Sequence, residues 1–586
     1  MSSSATLALG QASYTLLDVL GDDGAKVASL SKRGSTETLS AVKRGGEISD
    51  IGITGDGLTT LNVADRSSRL FYADDGEVVD GVTSNFEYDS KINLLAGSSF
   101  STFELGDGDN RFNAARDLTD SEVTAHEGDD TIRIGGSADG SFVSTGDGDD
   151  HFTANRGSEG LDVAMGEGDD TALFLGTLTA GPNLVTPTEY NVEWYNFEYD
   201  GEYTSFTMED YFVINGAKNI VDMGDGDDSA TFLGGVRGDT PITFTVHDLF
   251  DLYGITVSGS NPIITTVTSG AGGKVHLNED GTVTFTPIAT NGVADFGFTY
   301  SYTDDYDQLQ FGYSTVEASP HTSGYEIQLG AGYDTVVFGA NSTSDGFVLN
   351  TGTGSDMVTL GRITTNAVID LGWDNGGNGD IQYNENSGLD DNFDLGYEQG
   401  DLVVLGVGAT LTDSLIRSGQ SNDLLFLTGT VTDSTLDLGW GNADVDVSGA
   451  VGFGDDTDAL WDLGGGNDTL TFREYSDISL LGNESYGYFD LGTGADSLSL
   501  LGTGFGEWGA IEFDLGDDSD IDTIEFVLDP AYSGLLINNF GDEDILIIGD
   551  SEYGYEDLFG SGGGGDDLST FLAAGNEIRS VYSDNS

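Results

Sequence analysis

The stretch MGEGDDTALFLG, residues 165–176, sets Glu167, Asp169 and Asp170 within four residues and then turns abruptly apolar. Three carboxylates so close repel one another unless water or a cation screens them. The chemistry they could do is to bind a hard divalent cation. Calcium takes six to eight oxygens at roughly 2.3–2.6 Å, from carboxylates and backbone carbonyls together. Glycines at alternate positions let the backbone take positive φ and aim its carbonyls inward, while the Asp that follows adds charge from the side. One turn offers too few ligands, so such turns would have to be stacked.

The sequence supplies the stack. GDGDNRF from Gly106, HEGDDTI from His126, GDGDDHF from Gly146 and GEGDDTA from Gly166 follow one another at intervals of 20 residues. Between turns each block reads as a short strand, a Gly- or Ser-rich turn such as GGSADG (135–140) and a second strand such as SFVST (141–145), one coil of a solenoid. Stacked parallel strands lie ~4.7–4.9 Å apart, so one cation can sit between successive turns and cross-link them. An aromatic insertion containing YNVEWYNFEYDGEY (190–203) interrupts the array, which returns as MGDGDDSATFLGG (223–235). A second, less acidic array runs from LGAGYDTVVFG at 329 through TGTGSDMVTLG at 351, LGWDNGGNGD at 371, LGYEQGDLVVLG at 395, SGQSNDLLFLTG at 418, DLGWGNADVDVSG at 437, DLGGGNDTLTF at 462 and DLGTGADSLSLLG at 490 to DLGDDSDIDTIEF at 514, with intervals of 20 to 28 residues.

G-x-G-x-D-D-T followed by alternating apolar residues resembles the calcium-binding repeats-in-toxin nonapeptide, G-G-x-G-x-D-x-U-x. The resemblance implies an all-β chain built as a parallel β-roll or β-solenoid that folds when calcium binds. It also implies export through a type I channel by an uncleaved C-terminal signal. Carried onto this sequence, the ligand Asp falls on Asp130, Asp150, Asp170, Asp228, Asp334, Asp356, Asp468 and Asp496. The variable position between the glycines is also acidic at Asp107, Glu127, Asp147, Glu167 and Asp225, and Asp109 completes the first turn. Two features depart from the family. The coil is about 20 residues long rather than two consecutive nonapeptides, and only one of its two turns is acidic, so one calcium-bearing edge is expected. The turns from Gly419 to Asp423 and from Gly439 to Asp444 have lost the second Gly, which puts sites there in doubt.

Composition agrees with a cation-dependent fold. The 586 residues carry 102 acidic against 19 basic side chains, a formal charge of −83 that excludes nucleic acid as a natural partner and makes a compact chain repel itself. Hydrophobic content of 37% is enough to fold. With no Cys and five scattered His, any metal must be held by oxygen. No run of 18 apolar residues could span a membrane, and the N-terminus lacks the basic start of a cleaved signal. Neither H-E-x-x-H nor G-x-S-x-G occurs, so no enzyme is expected.

The remaining segments give a domain plan. Residues 1–95 form an N-terminal domain holding eight basic residues (Lys26, Lys32, Arg33, Lys43, Arg44, Arg66, Arg69, Lys91), a cluster that could grip an anionic surface glycan or lipopolysaccharide. Residues 96–235 form the first array, with the insertion at 177–222. Residues 236–306 alternate as a β-sandwich, and GGKVHLNEDGTVTFTP with FGFTYSYTD resembles bacterial cadherin-like adhesin modules, with Asp251 the one remnant of their usual calcium site. Residues 320–550 form the second array and 551–586 a C-terminal secretion region. The expected function is a secreted, calcium-dependent structural protein that self-assembles on a bacterial surface as a lattice or filament; the alternative is an adhesin.

Overall fold

The computed structural model describes residues 5–8, 15–20, 26–41, 47–55, 60–74, 89–180, 184–187, 198–199, 202–203, 212–215, 218–238, 242–246, 249, 259–269, 273–278, 281–287, 293–304, 309–320, 324–372, 401–419, 422–453, 460–473, 476–480, 486–501, 504–505, 510–516, 520–526, 534–560 and 566–580. Residues 250–254 with Asp251, most of the aromatic run at 190–203, and Lys43 and Arg44 lie outside the described residues.

The chain divides into two compact units: 1–178, 220–236 and 327–586 form the first, and 179–219 with 237–326 the second. The first is a parallel β-solenoid. Each coil of the acidic region contributes a four-residue strand such as Thr131–Ile134, a two-residue strand such as Ala138–Asp139 and a three-residue strand such as Phe142–Ser144. Each pairs in parallel with its counterpart 20 residues on, Thr131 with His151 and Phe142 with Asp162. The alternation explains the sidedness: in Thr131–Ile134, Ile132 and Ile134 are buried while Arg133 is exposed. Inward residues of successive coils stack into one core. Phe174 lies flat on Phe232 at 4.9 Å between centroids, and Phe232 lies on Phe338 at 5.3 Å.

That aromatic stack joins the two arrays. Ser229–Phe232 pairs with Thr171–Phe174 on one side and Thr335–Phe338 on the other, so coils separated by a hundred residues of sequence are neighbours. The boundary at residue 95 does not interrupt the sheets either. Thr60–Val63 pairs in parallel with Lys91–Leu94, and Arg66–Asp74 with Thr102–Glu104. Only Leu16–Leu20, Lys26–Arg33 and Thr36–Ala41 form an antiparallel meander at this end. Two of the basic residues are engaged locally: Lys32 pairs with the buried Glu37 at 2.9 Å and Lys26 pairs with Asp18.

At the other end, Ser551–Tyr553 folds back antiparallel on Ile545–Ile548, and Glu577–Ser580 adds in parallel to Leu535–Phe540. The helix Asp566–Ala573 buries Leu568 and Phe571, whose ring lies 5.0 Å from Phe526. Residues 551–580 therefore cover the last coil. The second unit contains two three-stranded antiparallel sheets, Gly259–Ser269 with Val293–Asp304 and Leu309–Pro320, and Ile242–Phe244 with Val283–Pro287 and Gly273–Leu277. It takes in the described residues of the insertion between 179 and 219 and extends past residue 306.

Candidate metal centres

The acidic turns stack into three columns. The innermost is a hydrogen-bonded ladder in which the N–H of one rung donates to a carboxylate Oδ1 of the next coil: Asp130 to Asp150 at 2.6 Å, Asp150 to Asp170, Asp170 to Asp228 and Asp228 to Asp334 at 2.8 Å, and Asp334 to Asp356 at 2.9 Å. It continues through Asp401 and Asp423, and again from Asp468 through Asp496 and Asp522 to Asp544. All eight ligand positions carried over from the nonapeptide stand on this column and are buried.

The other expected residues stand outside it. Glu127, Asp147, Glu167 and Asp225 are exposed, and their backbones bridge coil to coil as Glu127 with Asp147 and Glu167 with Asp225. Asp107 is half-buried. Asp109 is exposed and belongs to a second ladder of opposite sense, in which Asp109 donates back to Asp89, Asp129 to Asp109, Asp149 to Asp129, Asp169 to Asp149 and Asp227 to Asp169 at 3.0–3.2 Å. Asp401, Asp423, Asp522 and Asp544 are additional rungs; the mark they share in the sequence is an Asp directly before a strand of alternating burial. In the turn from Gly439 the rung is Ala443, and Asp444 begins the strand as an exposed residue.

The glycines are needed because the coils approach closely. Gly168 sits at φ 136°, and a Cβ there would overlap the Gly148 carbonyl oxygen. Gly166 stands in the same relation to Gly146. At Asn110 the carbonyls four and two positions before the rung, those of Gly106 and Gly108, both reach its side chain.

The rung carboxylates are chemically incomplete. Oδ1 accepts from the preceding coil, but Oδ2 of Asp130, Asp170, Asp228, Asp334 and Asp468 is buried without a hydrogen-bond partner. These residues are between 1% and 2% exposed. A buried carboxylate oxygen left unpaired is costly, so burial pushes Asp130, Asp170 and Asp334 up to about 8 and Asp228 and Asp468 up to about 7. Asp150 and Asp356, whose Oδ2 atoms are equally without a hydrogen-bond partner, are raised by burial to about 6, the nearby Thr145 and Thr351 hydroxyls offsetting part of it.

A serine ladder in the same solenoid shows the contrast. Ser101 N–H donates to Ser121 Oγ and Ser121 N–H to Ser141 Oγ, while the Oγ of Ser121 and Ser141 each donate to the carbonyl two residues back. A hydroxyl accepts and donates at once; a carboxylate only accepts. The Asp column therefore wants a proton or a cation, and the Ser column wants neither.

Among the described residues, no three Asp, Glu or His side chains converge as a metal site built from side chains alone would need. A cation on the inner column would take one carboxylate oxygen per rung and complete its shell from backbone carbonyls, an oxygen-only donor set that suits calcium. No described helix is long and apolar enough to cross a membrane. No family model, no curated protein and no solved structure matches this chain.

Proposed function

We propose that this protein is a calcium-stabilised structural solenoid of the cell exterior that assembles with copies of itself into a surface layer or filament. One observation carries the reading: a column of buried Asp Oδ2 atoms that nothing in the fold satisfies. Calcium on that column would neutralise the rungs, tie each coil to the next and offset part of the −83 charge. Magnesium suits it less, because it demands near-octahedral geometry and keeps its waters. Ion-dependent folding would leave the chain extended where calcium is scarce and compact where it is abundant, which fits export ahead of folding. Self-association is the use we propose for so regular a scaffold.

The test is far-UV circular dichroism with light scattering on protein purified in chelator, during a calcium titration with magnesium as control. Calcium-specific gain of β-structure followed by large ordered particles is the expected result. Folding into monomers that bind cells or glycan arrays would replace assembly with adhesion. No response to calcium would overturn the reading.

A further inference from the structure

Asn110 stands on the same column as the acidic rungs but meets its surroundings differently. Its Oδ1 accepts the Ser90 N–H at 2.8 Å, and its own N–H donates to Asp130 Oδ1 at 2.6 Å, so its backbone and one side-chain atom make an ordinary rung. Because the Ser90 N–H selects the oxygen, the remaining side-chain atom is the amide nitrogen. It donates to the carbonyls of Gly106 at 2.7 Å and Gly108 at 2.8 Å, the residues four and two positions before it. In an Asp rung the corresponding atom is Oδ2, and the corresponding carbonyls are those of Gly166 and Gly168 for Asp170, or Gly224 and Gly226 for Asp228. Oxygen would then face two oxygens, an arrangement that attracts nothing by itself and becomes favourable with a positive charge between them.

We propose that Asn110 is a cation-independent rung, whose side-chain amide makes from within the chain the contacts that a bound cation makes at the Asp rungs. This rests on the calcium reading above and goes beyond it, because it divides the column into coils that need an ion and coils that do not. The ion-bearing part begins at Asp130. The coil that ends on Asn110 closes without metal and presents a finished edge on which the Asp130 coil pairs, Thr131 N–H to the Asn110 carbonyl at 2.9 Å. Calcium-driven folding would then start from this edge and run toward the C-terminus.

Asn and Asp are nearly isosteric, so the rung can be exchanged in either direction in the full-length chain. Asn110→Asp and Asp170→Asn are compared with the parent by calcium stoichiometry from equilibrium dialysis and by thermal melting in chelator. N110D is expected to bind one calcium more and to melt lower in chelator. D170N is expected to bind one fewer and to melt higher in chelator, by about 2 °C or more. If the parent binds calcium while N110D gains none, or if D170N melts lower in chelator, the assignment of Asn110 is overturned and the calcium reading stands. If the parent itself binds no calcium, both fall together.

Discussion

In the absence of calcium the Asp column should make the protein an acid-stable fold. The perturbation is pH in the presence of chelator. In the folded chain Asp130, Asp170 and Asp334 hold their protons up to about pH 8, while in the unfolded chain the same carboxyls titrate near 3.8. Between those values the folded state binds more protons than the unfolded state, so its stability is complete below the unfolded value and is lost as pH rises through the folded one. Each carboxyl contributes about 1.4 kcal/mol per pH unit in that window. Over the two units from about pH 5 to about pH 7, three carboxyls amount to roughly 8 kcal/mol, comparable with the whole stability of an ordinary domain. Chelated protein should therefore resist urea at about pH 5 and unfold readily near neutrality. Calcium should abolish the slope, because the metal takes the place of the protons, and its binding should release protons at about pH 6 and almost none above pH 9. Urea titrations followed by circular dichroism, with calorimetry in two buffers to count protons, would check both halves. Stability in chelator that rises between pH 5 and pH 7, or calcium binding at pH 6 without proton release, would refute the reasoning.

Three further outcomes follow from packing. Gly168→Ala should cost about 3 kcal/mol in the calcium-loaded protein, since φ 136° and the Gly148 carbonyl both exclude a Cβ; Gly575→Ala, with nothing within 4 Å, serves as the urea-melt control for φ alone. Phe232→Ala should cost ~3–5 kcal/mol by opening a void between Phe174 and Phe338, visible as a lowered urea midpoint. Replacing residues 239–324 with a flexible Gly/Ser linker should leave solenoid folding intact, because Ser229–Phe232 and Thr335–Phe338 already pair; loss of the calcium-dependent circular dichroism signal would contradict this.

What could be read from the sequence was the part governed by local repetition. Twenty-residue spacing fixes coil length, and the burial alternation in Thr131–Ile134 and Thr171–Phe174 follows directly from it. Asp401, Asp522 and Asp544 were passed over, and Asp423 was put in doubt, because the motif asks for paired glycines, whereas a rung is positioned by the strand that follows it and by the N–H of the coil before. The glycines answer a different need, close approach of neighbouring backbones, as at Gly166 and Gly168. The motif did separate the two carboxylates of each Asp-Asp pair: it chose Asp170 over Asp169, and Asp170 is the buried one because it adjoins the inward-facing strand. The corner on which the Gly- or Ser-rich turn ends at Gly140 was read only as a turn, without the two-residue strand Ala138–Asp139 inside it. Asp120, Asn366, Asp413 and Asp433 take left-handed backbone there, at φ of 46–50°, where Gly140, Gly160 and Gly346 do the same with other residues. The continuity across residue 95 had no acidic turn to announce it, only Ile48, Ile51, Ile53, Leu61, Val63 and Leu70 alternating inward.

Two ladders in one solenoid make the choice of Asp informative. A parallel stack needs a side-chain acceptor at its corners to receive the N–H of the neighbouring coil, and Ser, Asn and Asp all supply one. Ser121 and Asn110 also satisfy their remaining atom from within the chain, so a solenoid built on them throughout would close in plain water. Asp at Asp130, Asp170, Asp228, Asp334 and Asp468 fills the same structural role and leaves one oxygen per rung unanswered. The cost recurs at every such coil, and a stack can bear it only when protons or cations answer all the rungs together. On the calcium reading, that recurrent incompleteness is what turns a scaffold that could fold unconditionally into one whose folding is set by the ion around it.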